Sequence, residues 1–165
     1  MGRPTLYEAA GGAPAMLALA TDFHARCLAH PVLEHPFSHG LDPAHVQHLA
    51  DYWGEVFGGP PEFTRRHGGH AAMLRVHANQ SDDGDPFSGP FVTCFDEAVA
   101  ATLPDDPRLR AALGGYIRAA TAEVGSYFPM AARVPEDPPM PLWSWDGRQG
   151  RSGSVGAAPD VTRTP

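Results

Sequence analysis

The sequence predicts an all-α fold. Apolar residues recur at helical spacing along much of the chain, as Val46, Leu49, Trp53 and Phe57 do. Glycine and proline pairs separate these stretches at short intervals. No stretch alternates apolar and polar residues as a half-buried strand does. Together these observations predict a bundle of about six helices joined by short loops.

Two helices are predicted at the N-terminal end. Thr5 followed by Glu8 is a capping-box pattern, which predicts a short helix that ends at Gly11-Gly12. Pro14 suits the first turn of a second helix over 14–29. Pro31 and Pro36 confine the next segment to turns, because proline interrupts a longer helix.

The middle of the chain contains two further helices. Asp42-Pro43 is typical of a helix start, and that helix is expected to end at Gly58-Gly59-Pro60-Pro61. A loop is expected from there to about His67. A short helix is predicted over 69–78, where apolar and histidine side chains share a face.

The C-terminal third divides into helical and irregular parts. Helices are predicted over 88–102 and 106–128, separated by prolines. Residues 1–130 are therefore expected to form one domain, followed by a largely irregular, Pro/Gly-rich extension over 131–165. Its last part, 147–165, is expected to be disordered. Trp143 and Trp145 are expected to attach the preceding segment to the domain.

Composition excludes several classes of protein. The 165 residues suit one domain, and the net charge of −7 argues against nucleic-acid binding. No apolar run is long enough to span a membrane, and the N-terminal residues lack a signal-peptide pattern. Cys27 and Cys94 lie in apolar helical stretches, which favours buried free thiols in the cytoplasm.

The nine histidines carry the functional signal. His77 shares an apolar helix face with Leu74, where a histidine is more often a hydrogen-bonded core residue than a ligand. The helix is short, however, and follows Gly68-Gly69. This favours a helix that presents a side chain to a ligand over an ordinary scaffold helix. His24 and His45 lie on inward faces of other helices. A cavity lined by these imidazoles suits a buried metal or haem.

Several motifs, in the same order and at similar spacing, resemble the truncated haemoglobins of group II. These globins have a two-over-two helical sandwich, and the resemblance covers about residues 4–130. The matching landmarks are Gly11-Gly12, Phe23-His24, Phe37, Phe57-Gly58-Gly59-Pro60, and Gly69-His70 followed seven residues later by His77-Ala78.

The resemblance implies a haem b cofactor with His77 as the proximal iron ligand. Phe37 would pack on the porphyrin, and His70 would have a hydrogen-bonding role. Arginines near the haem are candidates to pair with its propionates: Arg65, Arg66 and Arg75. Further apolar residues would line the pocket: Leu49, Trp53, Phe63, Leu74 and Phe91.

The chain departs from the family on the side where gas would bind. The family usually has a tyrosine where this chain has His24, and a tryptophan that aligns with Phe91. His45 takes the distal position on the helix that starts at Asp42-Pro43, where the family often has a small residue. Either imidazole can donate a hydrogen bond to a bound gas or ligate the iron directly. The remaining histidines are expected at the surface or in loops: His30, His35, His39, His48 and His67.

The resemblance implies reversible binding of dioxygen and other diatomic gases, with iron kept reduced by an unidentified reductase. Detoxification of nitric oxide or of peroxide remains open as an enzymatic activity. Two other classes also remain open. One is a cofactor-free helical module that binds a partner protein. The other is a non-haem metal enzyme using histidine pairs with ligand-like spacing: His45 and His48, His35 and His39, His67 and His70.

Overall fold

The computed structural model describes residues 2–34, 44–78, 88–127 and 133–150. Within these ranges the chain is mainly helical, as the sequence predicts. The helices are α1 Leu6–Ala10, α2 Gly12–Ala29, α3 His45–Val56, α4 Glu62–His67, α5 His70–Ala78, α6 Ser88–Thr102 and α7 Pro107–Ser126. Two short strands follow, β1 Trp143–Ser144 and β2 Gly147–Arg148, which pair antiparallel.

Two helix pairs form the body of the molecule. Helix α2 packs on α3 in one pair, and α6 packs on α7 in the other. Contacts between α2 and α6 join the two pairs into the expected two-over-two sandwich. The small helix α4 packs against α3, and α5 lies against α7. The helix that carries His77 therefore takes its position from the second pair.

The helix ends follow the local signals of the sequence. Thr5 Oγ1 accepts from the backbone N–H of Glu8 at 3.1 Å, and Glu8 Oε2 accepts from that of Thr5 at 2.8 Å, as in a capping box. Gly11 ends α1 at a φ of +114°, a conformation that glycine adopts readily. Helix α2 begins at Gly12, two residues before the predicted start. The predicted start at Asp42-Pro43 lies outside the described residues.

The core lies between the helix pairs and is rich in aromatic rings. Phe23, Trp53 and Phe95 are at most 2% exposed. Trp53 meets Phe23 edge-on with ring centroids 5.3 Å apart and meets Phe95 at 5.0 Å. Such edge-to-face pairs add to the stabilisation that comes from burying their apolar area. Cys27 and Cys94 are buried free thiols, as predicted.

Two predictions about the chain outside the main helices are wrong. The segment after Pro61 is helix α4 rather than a loop to His67. It is too short for a helical pattern to be read from sequence. A tertiary contact holds it, because buried Glu55 accepts from the backbone N–H of Thr64 at 2.9 Å.

The C-terminal extension is partly ordered. Residues 147–150 were expected to be disordered, and strands were not expected, yet Gly147–Arg148 pairs with Trp143–Ser144. A two-residue strand has no alternation to detect, and Gly147 makes the turn at a φ of +99°. The expected attachment by the tryptophans is confirmed. Trp143 Nε1 donates to the carbonyl of Ala112 at 2.9 Å, and Trp145 Nε1 donates to that of Pro4 at 2.7 Å.

None of the helices in the described ranges is both long and apolar enough to cross a membrane.

Candidate functional site

Two histidines from different helices face each other at the start of α3. His24 comes from the middle of α2 and His45 is the first residue of α3. Their ring centroids are 5.5 Å apart, and both side chains are half-buried. Burial lowers the pKa of His24 below its ordinary value, because desolvation disfavours the charged ring. His24 is therefore neutral at pH 7, with one nitrogen able to donate and the other able to accept.

A cluster of aromatic rings surrounds Phe23, the residue before His24. Phe23, adjacent to His24 in sequence, meets Phe91 of α6 edge-on with centroids 4.8 Å apart and meets Trp53 on its other side. Leu49 of α3 is half-buried against the same core. The structure thus brings His24 together with His45, and it places Leu49, Trp53 and Phe91 in or against the main core.

His77 lies in the last turn of α5, and its ring orientation is set by its own helix. Its Nδ1 atom is 2.8 Å from the carbonyl oxygen of Met73, one turn earlier. Since a carbonyl only accepts, Nδ1 carries the proton and Nε2 keeps a lone pair. Burial lowers the pKa of His77, an effect that the bond to Met73 partly opposes. A neutral imidazole with Nε2 as its lone-pair nitrogen is the form that ligates iron.

The first residue of α5 is also a histidine, but its two ring nitrogens have partners. His70 is 2% exposed, with Nδ1 3.0 Å from the Tyr52 hydroxyl and Nε2 3.2 Å from Glu123 Oε1. The hydrogen-bonding role expected for His70 is confirmed. Sequence reasoning missed both partners. No local pattern links these residues, which come from α3 and α7.

The remaining proposed pocket residues occupy different surroundings. Phe63 of α4 packs edge-on against Tyr52, with centroids 5.0 Å apart. Leu74 of α5 is 1% exposed and packs in a small apolar cluster with Ala71 and Val134. Phe37 lies outside the described residues. Contact of these three side chains with haem stays a prediction.

Some apolar side chains of the core leave area that a large apolar ligand could cover. Apolar side chains from three helices are only partly covered by protein, although they pack on the core. They belong to α3, α5 and α6, and their incomplete burial is what a porphyrin would complete. They are Val46, Leu49, Met73 and Phe91.

The arginines proposed as propionate partners have protein partners in two of three cases. Arg65 lies 3.4 Å from Glu62, and Arg66 lies 3.1 Å from the same carboxylate and 3.5 Å from Asp51. Arg75 is exposed. Ion pairs this exposed are weak enough to be exchanged for another anion.

In two of the three histidine pairs that suggested a non-haem metal site, the two members have different neighbours, and the third pair, His35 and His39, lies outside the described residues. His45 faces His24, whereas His48 contacts the ring of His67 with centroids 4.0 Å apart. His67 was expected at the surface or in a loop, but it ends helix α4, its side chain is only 21% exposed, and its Nε2 lies 3.6 Å from Asp51. No group of three or more potential metal ligands occurs within the described ranges.

A separate surface groove of about 500 Å³ lies between α7, the hairpin and the N-terminal residues. It contains none of the residues proposed for the site. Its lining includes Arg3, Arg108, Trp143 and Trp145.

Comparison with known proteins gives one family and one fold. The sequence model described as bacterial-like globin matches residues 5–117. None of the curated proteins compared with the chain matches it.

Among solved structures, the haemoglobin of Chloroflexus aurantiacus is 28% identical with a TM-score of 0.63, covering 74% of this chain and 98% of that chain. The group II 2-on-2 haemoglobin of Agrobacterium tumefaciens is 25% identical with a TM-score of 0.64, covering 75% and 95%. The haemoglobin of Thermobifida fusca is 26% identical with a TM-score of 0.62, covering 74% and 97%.

Proposed function

Because the chain belongs to the bacterial-like globin family, which implies a haem cofactor, we propose that it holds haem b and reversibly binds dioxygen and other diatomic gases. In this proposal His77 is the proximal iron ligand. The apolar residues named above cover the porphyrin faces, and Phe37 packs on one of them. His24 and His45 face the gas.

The observation that carries the proposal is the protonation state of His77. Its proton is on Nδ1, bonded to the carbonyl of Met73, and burial keeps the ring neutral. A hydrogen bond from the non-ligating nitrogen to a carbonyl fixes the orientation of a ligating histidine and raises its basicity. A histidine that only packed in the core would be expected to bond through both ring nitrogens. None of the described residues bonds to Nε2 of His77, so this nitrogen is open to a ligand.

Haem in this site would supply a reduced iron with one position for a diatomic ligand. The chain supplies the surroundings of that ligand. His24, neutral at pH 7, can donate one hydrogen bond to a gas that acquires negative charge, and His45 is close enough to share this role. Phe23 and Phe91 exclude water from the same region, which slows oxidation of the iron.

The histidine pair favours peroxide reduction as a second candidate activity. A neutral imidazole such as that of His24 can take a proton from one peroxide oxygen and return it to the other. Nitric oxide dioxygenation needs the same gas-binding site and a supply of electrons. Both activities consume electrons, which a reductase would supply. The two free cysteines suit a reducing compartment, and we propose a cytoplasmic location.

Absorption spectroscopy tests the haem proposal directly. The full-length protein, loaded with haem and reduced with dithionite, should show an intense band near about 400 nm that shifts on addition of carbon monoxide. His77→Ala should lose this spectrum or change its form. His30→Ala, which alters a histidine at the end of α2, is the matched control and should leave it unchanged. A wild-type protein that stays colourless after haem addition contradicts the proposal and favours the helical interaction module.

A further inference from the structure

A chain of polar contacts runs from α3 to the C-terminal hairpin through the first residue of α5. The Tyr52 hydroxyl lies 3.0 Å from His70 Nδ1, and His70 Nε2 lies 3.2 Å from Glu123 Oε1. The other carboxylate oxygen of Glu123 lies 3.7 Å from Arg148 Nη1 of strand β2. The side chains of His70 and Glu123 are 1% and 20% exposed, so water competes little for these bonds.

The chemistry of these groups fixes the direction of the bonds. A carboxylate only accepts, so His70 donates to Glu123 from Nε2. When the ring is neutral, Nδ1 accepts from the Tyr52 hydroxyl. The hydrogen bond from His70 and the charge of Arg148 both hold the pKa of Glu123 below its ordinary value. Since the two partners of His70 come from α3 and α7, the start of α5 is tied to two helices.

An apolar contact from the same extension holds the middle of α5. Val134 is 7% exposed and packs with Ala71 and Leu74, which are 6% and 1% exposed, in a cluster separate from the main core. Val124 and Tyr127, near the end of α7, pack against this cluster. Leu74 precedes His77 by less than one helical turn, so the cluster lies directly before the residue that would bind iron.

Five of the participating residues lie beyond the segment matched by the globin family, which ends at residue 117. These are Glu123, Val124, Tyr127, Val134 and Arg148. The contacts therefore join a family-typical helix to a part of this chain that the family pattern does not include.

We propose that residues 133–150, the described part of the C-terminal extension, position the helix that carries His77. Arg148 holds Glu123, Glu123 holds His70, and Val134 covers Leu74, so α5 is fixed in the orientation in which His77 presents Nε2 to the haem. This inference rests on the proposed function, because it assigns His77 to iron. His70, Glu123 and Val134 are positioning residues and do not touch the ligand in this proposal.

Hydrogen–deuterium exchange of the full-length protein without haem tests the bracing. Glu123→Ala should raise exchange of the amides of 70–78 by at least about threefold, because α5 opens more often. Val134→Ala should act in the same direction. Glu123→Gln, which keeps an oxygen for His70 but not the ion pair with Arg148, should restore part of the protection.

Asp96→Asn is the control, because it removes a comparable ion pair, Asp96 with Arg118 at 2.8 Å, between α6 and α7. It should leave exchange in 70–78 unchanged. Unchanged exchange of 70–78 in Glu123→Ala and Val134→Ala would overturn the bracing. So would an equal increase in every helix, since that indicates general loss of stability.

A spectroscopic measurement on the haem-loaded protein tests the consequence for His77. The iron–histidine stretching band of the reduced protein should shift or broaden in Glu123→Ala, with partial recovery in Glu123→Gln and no change in Asp96→Asn. Haem loss to an acceptor protein should be about tenfold faster in Glu123→Ala. If the wild type shows no iron–histidine band, the proposed function fails, while exchange still tests the bracing. If the wild type shows the band and all variants retain it unchanged, the positioning role is wrong.

Discussion

The Nδ1 atom of His77 lies 2.8 Å from the carbonyl oxygen of Met73, one turn earlier in the same helix. This contact leaves Nε2 as the lone-pair nitrogen and aligns the ring with the helix. It is formed entirely within α5 and needs no partner from elsewhere. The position of α5 in the molecule, in contrast, depends on contacts with α3, α7 and the C-terminal extension.

Replacement of His77 by glycine should create a site that free imidazole can fill. His77→Gly is expected to lose the normal spectrum of the haem protein, and millimolar imidazole should restore a histidine-like spectrum, because the missing ring is supplied from solution. Titration followed by absorption measures the effect. His48→Gly serves as the control. Failure of imidazole to change the spectrum of His77→Gly would argue that this residue does not ligate iron.

The histidine pair should control how long a gas stays bound. His24→Leu removes a hydrogen-bond donor, and dioxygen dissociation from the reduced protein should become roughly fivefold to tenfold faster, as expected for about 1–1.5 kcal/mol. His45→Leu should have a smaller effect if the two rings share one contact. Stopped-flow displacement by carbon monoxide gives the rates. Equal rates in wild type and both variants would contradict a distal role for the pair.

Gly59 should be intolerant of any side chain. A Cβ atom there would lie 2.7 Å from the carbonyl oxygen of Gly54 and 2.8 Å from the ring of Tyr7. Gly59→Ala is expected to destabilise the protein by roughly 1–3 kcal/mol, because backbone must move to relieve the overlap. Gly89→Ala is the matched control, since nothing lies within 4 Å of its Cβ and alanine favours a helix. Urea unfolding measures both, and a Gly59→Ala protein as stable as wild type would refute this packing.

Acid stability should depend on Glu123. Its pKa is lowered from 4.5 in the folded protein, chiefly by the hydrogen bond from His70. The folded state therefore favours the carboxylate, and this contribution to stability is fully present above about pH 4.5. It is lost as the pH falls through the lower folded pKa, because the unfolded chain binds the proton first. In Glu123→Gln the free energy of unfolding should therefore fall less steeply as the pH drops below about 4.5.

The measurement for this prediction is urea unfolding at a series of pH values between about 3 and 6. Asp96→Asn changes a carboxylate that does not contact His70 or Glu123. Its free energy of unfolding should fall with pH as steeply as that of the wild type. If the Glu123→Gln protein loses stability with falling pH as steeply as the wild type, another group causes the acid sensitivity.

Much of the helical framework is predictable from the sequence. The capping box at Thr5, the glycine stop at Gly11 and the apolar spacing of 88–102 each depend on residues within a few positions of one another. Such local signals can be read without knowing the contacts between distant parts of the chain. Helix α4 and the hairpin escaped prediction because they are too short to repeat the pattern by which helices and strands are recognised. Contacts such as that between Glu55 and Thr64 hold them.

The candidate site was predictable to a similar extent. The resemblance proposed His77 as the iron ligand, and the fold brings the rings of His24 and His45, both expected on inward helix faces, to 5.5 Å of each other. The contact of Leu74 with Val134 was not predictable, because it joins α5 to a segment outside the resemblance.

The sequence by itself therefore determined most of the helices, the globin family and the histidine that is proposed to bind iron, because each depends on local pattern and spacing. Only the tertiary structure decided what holds that histidine's helix in place. Tyr52, His70, Glu123 and Arg148 lie far apart along the chain and become neighbours only when α3, α5, α7 and the hairpin pack together. Hydrogen bonds between such distant groups leave no periodic signal, since their geometry is created by burial of the apolar faces around them.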